Sequence, residues 1–126
     1  MILLVDDDPQ VRSTIARGLV ELGYRVEQAE SGAAALAILE GEERPQLVIL
    51  DYVMPGMDGA ETAREIAKID PDLPIIFSTG HAALRALRQA ADGAPVLEKP
   101  FSLAELDELI KETLAEARKL RSASAG

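Results

Sequence analysis

Cysteine is absent from this chain of 126 residues. That excludes a disulfide framework, a thiol nucleophile and a cysteine-ligated zinc, argues against redox chemistry, and makes an intracellular compartment the default. Basic charge is also in short supply, with 13 Lys and Arg against 22 Asp and Glu and a formal net charge of -9. Direct nucleic-acid binding is therefore disfavoured, because affinity for a phosphate backbone rests on clustered cations. Long apolar runs are missing as well: the longest falls far short of the roughly 20 residues that cross a bilayer, and no basic segment precedes an apolar one at the N-terminus. A soluble, cytoplasmic protein with no membrane partner is expected.

What is present suits a single folded domain. The composition, 48% apolar and 28% charged, is ordinary for a globular protein, and the length can enclose one core without disulfide or metal support. Residues 2–5, "ILLV", form a short apolar run of the kind buried on both faces of a sheet. Asp8 before Pro9 then reads as a helix N-cap with proline at the first helical position. Val11, Ile15 and Leu19 follow at four-residue spacing, and Gly23 stops the helix.

The alternation continues along the chain. "YRVEQA" predicts a second strand, Ser31 caps an alanine-rich helix ending near Leu39, and "LVIL" predicts a third strand that finishes on Asp51. After the turn formers "MPGMDG" comes a helix from about Ala60 to Ile69, then the strand "PIIFSTG". A weaker helical stretch from Ala82 to about Ala91 leads to "PVLEKP". Ser102 and Glu105 form a capping box for a last helix that turns Leu103, Leu106, Ile110 and Leu114 toward a core. The residues 1–120 read as one domain and the tail 121–126, "RSASAG", as disordered. Five strands alternating with five helices predict an α/β domain whose parallel sheet is covered on both faces.

In an open sheet of this kind, functional groups gather beyond the carboxyl ends of the strands. Those positions hold Asp6 and Asp7, then Asp51, then Ser78 and Thr79, and finally Lys99. Carboxylates from neighbouring strands that meet within a few ångströms raise one another's pKa unless a cation intervenes. With no His or Cys nearby in sequence, the ligands would be all oxygen, which suits Mg²⁺ or Mn²⁺. A few carboxylates, a hydroxyl and a lysine suit phosphoryl chemistry, in which an aspartate can itself be the nucleophile and form an acyl phosphate.

Taken together, "ILLVDDDP", "LVILDYVMPGMDG", "FSTG" and "LEKPF" resemble the receiver domain of two-component response regulators over residues 1 to about 120. The resemblance implies a doubly wound, flavodoxin-like sheet of five parallel strands in the order 2-1-3-4-5. It implies that Asp51 is the phosphoacceptor, that Asp7 binds the metal directly and Asp6 through water, and that Val53 contributes its backbone carbonyl. Thr79 would donate its hydroxyl to the phosphoryl group and Lys99 would pair with a phosphoryl oxygen. The Lys99-Pro100 bond is expected to be cis by the same analogy. The implied donor is a histidine kinase or a histidine phosphotransfer protein, and the protein would act as a switch more than as an enzyme.

Each of these residues alone has a duller reading, as a solvated carboxylate, a strand-end hydroxyl or a surface lysine, and only the constellation promotes them. Asp8 is assigned to the helix cap. Met54 and Met57 are read as packing residues, since a thioether suits Mg²⁺ poorly. His81, the single histidine, falls two residues after Thr79. With Val53 it is a candidate for tuning how fast phosphate is gained and lost.

Two features depart from many receivers. Val96 occupies the position three before the lysine where an aromatic ring commonly reports phosphorylation. Thr79 and Lys99 lie 20 residues apart, and Gly93 interrupts the weak helical pattern between them, so the fourth helix is expected to be short or mobile. Two rival functions share the same residue types: a Mg²⁺-dependent phosphohydrolase with an aspartyl-phosphate intermediate, and a degenerate receiver that binds protein without being phosphorylated. With no output segment read after the last helix, either a stand-alone regulator or a domain excised from a larger protein such as a hybrid kinase is expected.

Overall fold

The runs at residues 2–5 and 47–50 offer no polar position to either side, so each belongs where both sheet faces are covered. In the computed structural model they form β1 (Ile2–Val5) and β3 (Leu47–Asp51), adjacent and buried along their whole length. The structure describes residues 1–80, 83–85, 87 and 94–125. Within these, β2 (Val26–Ala29), β4 (Ile75–Thr79) and β5 (Val96–Glu98) complete a five-stranded sheet of order β2-β1-β3-β4-β5. Every pairing is parallel, so this is the doubly wound arrangement that the strand pattern and the resemblance led us to expect.

Side-chain alternation along the strands divides the apolar residues between two cores. Leu3, Val5, Val48, Leu50 and Phe77 face α2 (Gly32–Leu39) and α3 (Gly59–Ile69), where Ala35, Leu39 and Ile66 meet them. Ile2, Leu4, Ile49 and Ile76 face α1 (Pro9–Glu21) and α4 (Leu103–Ala125), packing on Ile15, Leu19, Leu106 and Ile110. Burying a side chain of this size contributes about 1.5–3 kcal/mol. The central strands, apolar on both faces, are therefore the most firmly held part of the molecule.

The caps fall where the sequence places them. Asp8 accepts the N–H groups of Gln10 and Val11 and starts α1 with Pro9. Ser31 accepts the N–H of Ala34, and Asp58, a cap not anticipated from the sequence, accepts that of Glu61. Ser102 and Glu105 bond reciprocally at 3.1 and 3.2 Å as a capping box. Gly23 has φ of 96°, the left-handed conformation that ends a helix at least cost in glycine. Lys99-Pro100 is cis, as expected.

Two sequence expectations meet a different outcome, and a third falls partly outside the described residues. The second strand begins at Val26 rather than Tyr24, because the Tyr24 N–H closes α1 on the Leu19 carbonyl at 3.0 Å. The segment 121–126, expected to be disordered, instead prolongs α4 as far as Ala125. Arg121 and the alanines favour helix, and no proline or glycine interrupts the run before Gly126. Of the weaker helical stretch at 82–91, residues 83–85 and 87 are helical. The other residues of that stretch, and with them the expectation of a short or mobile helix, lie outside the described residues. Among the described residues, no helix is long and apolar enough to cross a membrane.

Gly59 provides a test of how tightly the β3–α3 connection is drawn. Inside a helix, alanine ordinarily gains about 1 kcal/mol over glycine. A Cβ at this position would lie 2.6 Å from the Cα of Tyr52 and 2.7 Å from the carbonyl oxygen of Asp51, both main-chain atoms. Gly59→Ala is therefore expected to lower stability by about 1–3 kcal/mol, read as a drop in the urea midpoint. An unchanged or raised midpoint would mean that the connection has room to spare.

Candidate functional site

The order of the strands brings the chemistry together. Because β1 lies beside β3, the residue that follows β1 and the residue that ends β3 meet at the carboxyl edge of the sheet. These are Asp6, 1% exposed, and Asp51, 6% exposed. Asp7 stands beside them in solvent, and one carboxylate oxygen from each of the three lies within 4.8 Å of the others. Beyond β5, Lys99 reaches back: its Nζ is 2.9 Å from Asp6 Oδ2 and 3.5 Å from Asp51 Oδ2. The Lys99 N–H donates to the Thr79 carbonyl at 2.7 Å, which ties the two strand ends to each other.

Asp6 is held on every side. Its Oδ1 accepts the Asp8 N–H at 2.9 Å, its Oδ2 accepts from Lys99, and its main-chain carbonyl accepts from Arg12 Nη1 at 2.8 Å. Asp51 is held less well, since Oδ1 accepts only a long 3.4 Å bond from the Val53 N–H. Among the described residues, three carboxylates thus face one ammonium. Burial pushes the Asp51 carboxyl up to about 6 against the pull of Lys99, with Asp6 and then Asp7 adding to the rise. Burial would push Lys99 down, but its hydrogen bond to Asp6 and the charges of Asp51 and Asp6 outweigh it and leave the ammonium raised. The Asp51 shift is first an effect of burial and the Lys99 shift an effect of its carboxylate partners, and in both the neighbouring carboxylates push upward.

Thr79 is fully buried at the end of β4, and its Oγ1 has no hydrogen-bond partner among the described residues. An orphaned hydroxyl costs about 1–3 kcal/mol. Val53 lies at the rim with 60% of its surface exposed. Val96 is half-buried in register with Phe77, away from the carboxylates. His81 lies outside the described residues. Met54 is buried in the α2–α3 core, and Met57 packs against α2 at Gly32, as packing residues should.

Two features of the site were not anticipated from the sequence. One is the Arg12 bond to the Asp6 carbonyl. A basic residue in the opening turns of a helix, where the macrodipole disfavours it, was the available signal. The other is the ring of Tyr52, next to Asp51, which meets Phe77 edge to face with centroids 6.0 Å apart. No sequence pattern marks that pair.

A parallel sheet whose carboxyl edge gathers three aspartates, a lysine and a buried hydroxyl defines a class of acidic, cation-seeking sites. Comparison with known proteins identifies the class. Residues 2–111 match the family model of the response regulator receiver domain. The chain is 44% identical to the response regulator receiver protein CpdR of Brucella abortus (strain 2308) over 119 residues, covering 92% of this chain and 98% of that protein. It is 42% identical to the sensor kinase CckA of the same organism over 118 residues, which span 90% of this chain but 12% of CckA. Among solved structures, the receiver domain of NtrX from Brucella abortus superposes with a TM-score of 0.85 at 32% identity, covering 91% of this chain and 98% of that one. The chain belongs to the receiver domain family of response regulators, the family that works in two-component signal transduction.

The orphaned hydroxyl yields a prediction about the unphosphorylated protein. Thr79→Val keeps the shape and removes an unsatisfied buried polar atom, so it should raise stability by roughly 1 kcal/mol. Thermal melting without added phosphate donor or metal measures this. A lower melting temperature than wild type would mean that the hydroxyl is satisfied in solution and held for no ligand.

Proposed function

We propose that the chain accepts a phosphoryl group onto Asp51 from a phosphohistidine of a histidine kinase or histidine phosphotransfer protein, and acts as a switch rather than a turnover enzyme. The observation that carries this reading is the convergence of Asp6, Asp7, Asp51 and Lys99 beside a buried Thr79 hydroxyl that has no partner among the described residues. An Asp51 carboxylate oxygen attacks phosphorus in line, the P–O bond of an acyl phosphate forms, and the donor's P–N bond breaks with its electron pair returning to the imidazole. Thr79 then donates to one phosphoryl oxygen and Lys99 exchanges its Asp6 and Asp51 partners for another.

The donor set fits Mg²⁺, with Mn²⁺ as a substitute: it is all oxygen, carries excess negative charge, and leaves room for water on the solvent side at Asp7. Asp7 would bind directly, Asp6 through water, and Asp51 and the Val53 carbonyl would complete the protein ligands. What the cation supplies when bound is neutralisation of charge on the phosphoryl oxygens during transfer. The exposed Val53 side chain and His81 stand as candidates for setting the lifetime of the acyl phosphate, and Val96 as the position from which phosphorylation is read out.

Incubation with acetyl phosphate and Mg²⁺, scored by intact mass, is expected to add one phosphoryl group to the wild type and none to Asp51→Asn. No adduct, or an equal adduct on both proteins, would remove Asp51 from the mechanism. Continuous turnover of a phosphate ester would point to the phosphohydrolase alternative. Mg²⁺ should also raise the melting temperature, since a ligand at roughly 100 times its Kd stabilises the folded state by about 2.7 kcal/mol. Asp7→Asn should remove most of that rise, and a wild type indifferent to Mg²⁺ would count against the metal site.

A further inference from the structure

Asp7 is the loosest member of the acidic cluster. Its neighbour Asp6 is tied at its N–H to the Ala29 carbonyl, at both carboxylate oxygens, and at its own carbonyl. Asp7 is exposed, and its carboxylate accepts no hydrogen bond among the described residues. What fixes the direction in which Asp7 leaves the backbone is therefore the plane of the Asp6–Asp7 peptide, because the Asp6 carbonyl and the Asp7 N–H belong to one rigid unit.

The group that holds this plane is Arg12. Its Nη1 bonds the Asp6 carbonyl at 2.8 Å, and the residue is half-buried. The Arg12 N–H bonds the carbonyl of Asp8, the α1 N-cap, at 2.9 Å, so the side chain is carried by the same turn of helix that caps the β1–α1 loop. The choice of residue runs against local preference. A cation near a helix N-terminus opposes the macrodipole, and Arg12 forms no ion pair with a carboxylate among the described residues to offset that. A residue that breaks a local rule while fixing a site's backbone is a candidate for a functional role.

We infer that Arg12 is a positioning residue for cation binding: by clamping the Asp6 carbonyl it aims the Asp7 carboxylate at the site. This rests on the Mg²⁺ reading given above. Two effects of Arg12 have opposite signs, which makes the inference decidable. Its charge repels a cation, so if charge were all that mattered, its removal would tighten Mg²⁺ binding. Its hydrogen bond pre-organises a ligand, so loss of that bond weakens binding, and outer-shell partners of metal ligands are typically worth about 10–100-fold in affinity.

The test is calorimetric titration of Mg²⁺ into wild type, Arg12→Ala, Arg12→Gln and Arg12→Lys, together with metal-free melting temperatures. Arg12→Ala and Arg12→Gln should each raise the Kd about 10-fold, and Arg12→Lys, which keeps a single donor of nearly the same reach, should restore most of the affinity. The glutamine variant keeps a polar side chain at the position and carries the test if the alanine variant does not fold. A Kd that is unchanged or lower in the alanine and glutamine variants, with or without a change in melting temperature, overturns the inference and leaves Arg12 a structural partner of an orphan carbonyl. Failure of the wild type to bind Mg²⁺ at millimolar concentrations overturns the metal reading itself, a result distinct from any difference among the variants.

Discussion

Repulsion among Asp6, Asp7 and Asp51 is the constraint around which the molecule is arranged. Two unit charges 4 Å apart at an effective dielectric of 20 oppose each other by about 4 kcal/mol. A whole domain is stable by about 5–15 kcal/mol. The cluster therefore persists only because the strands that carry it are anchored elsewhere. β1 and β3 are buried along their full length, and each contributes side chains to both cores. Where the core cannot help, the site relieves itself: Lys99 lies across Asp6 and Asp51, and Asp51 holds its proton to an unusually high pH.

The division between clamped and free groups follows from that anchoring. Asp6 sits one residue beyond β1 and is bonded at its N–H, its carbonyl and both carboxylate oxygens, whereas Asp7, one step further into solvent, has neither carboxylate oxygen bonded among the described residues. Thr79 is the converse case, fully buried yet unbonded at its hydroxyl among the described residues. A site whose fixed groups are satisfied and whose remaining groups are not is arranged for a visitor that brings both a positive charge and hydrogen-bond acceptors. A cation and a phosphoryl group supply these in turn.

Most of this was readable without coordinates. "ILLV" and "LVIL" announce strands buried on both faces because a run without polar residues has no solvent side, and the residues just beyond them are consequently the ones at the sheet edge. The Asp8 cap and the Ser102–Glu105 box were legible because capping is local chemistry within four residues. Strand order was not in the pattern and came from family resemblance, since periodicity carries no information about which strands adjoin. Tyr24 looked like a strand residue because tyrosine favours strands, but its N–H is taken by the end of α1, a contact that propensity does not encode. The sequence 121–125 looked disordered by its small polar residues, yet nothing in it stops a helix already under way. Arg12 escaped notice because its partner is a main-chain carbonyl, which every residue possesses and no sequence pattern marks.

The edge-to-face pair of Tyr52 and Phe77 has a practical corollary. The chain contains no tryptophan and two tyrosines. Tyr24 sits at the far side of the domain against Asp107, while Tyr52 is covalently next to Asp51. Near-ultraviolet light therefore sees few chromophores in this protein, and one of its two tyrosines adjoins the proposed seat of reaction. Any event at Asp51 that shifts the end of β3 changes the asymmetric surroundings of that ring, so the protein carries its own optical label without a dye or an engineered residue.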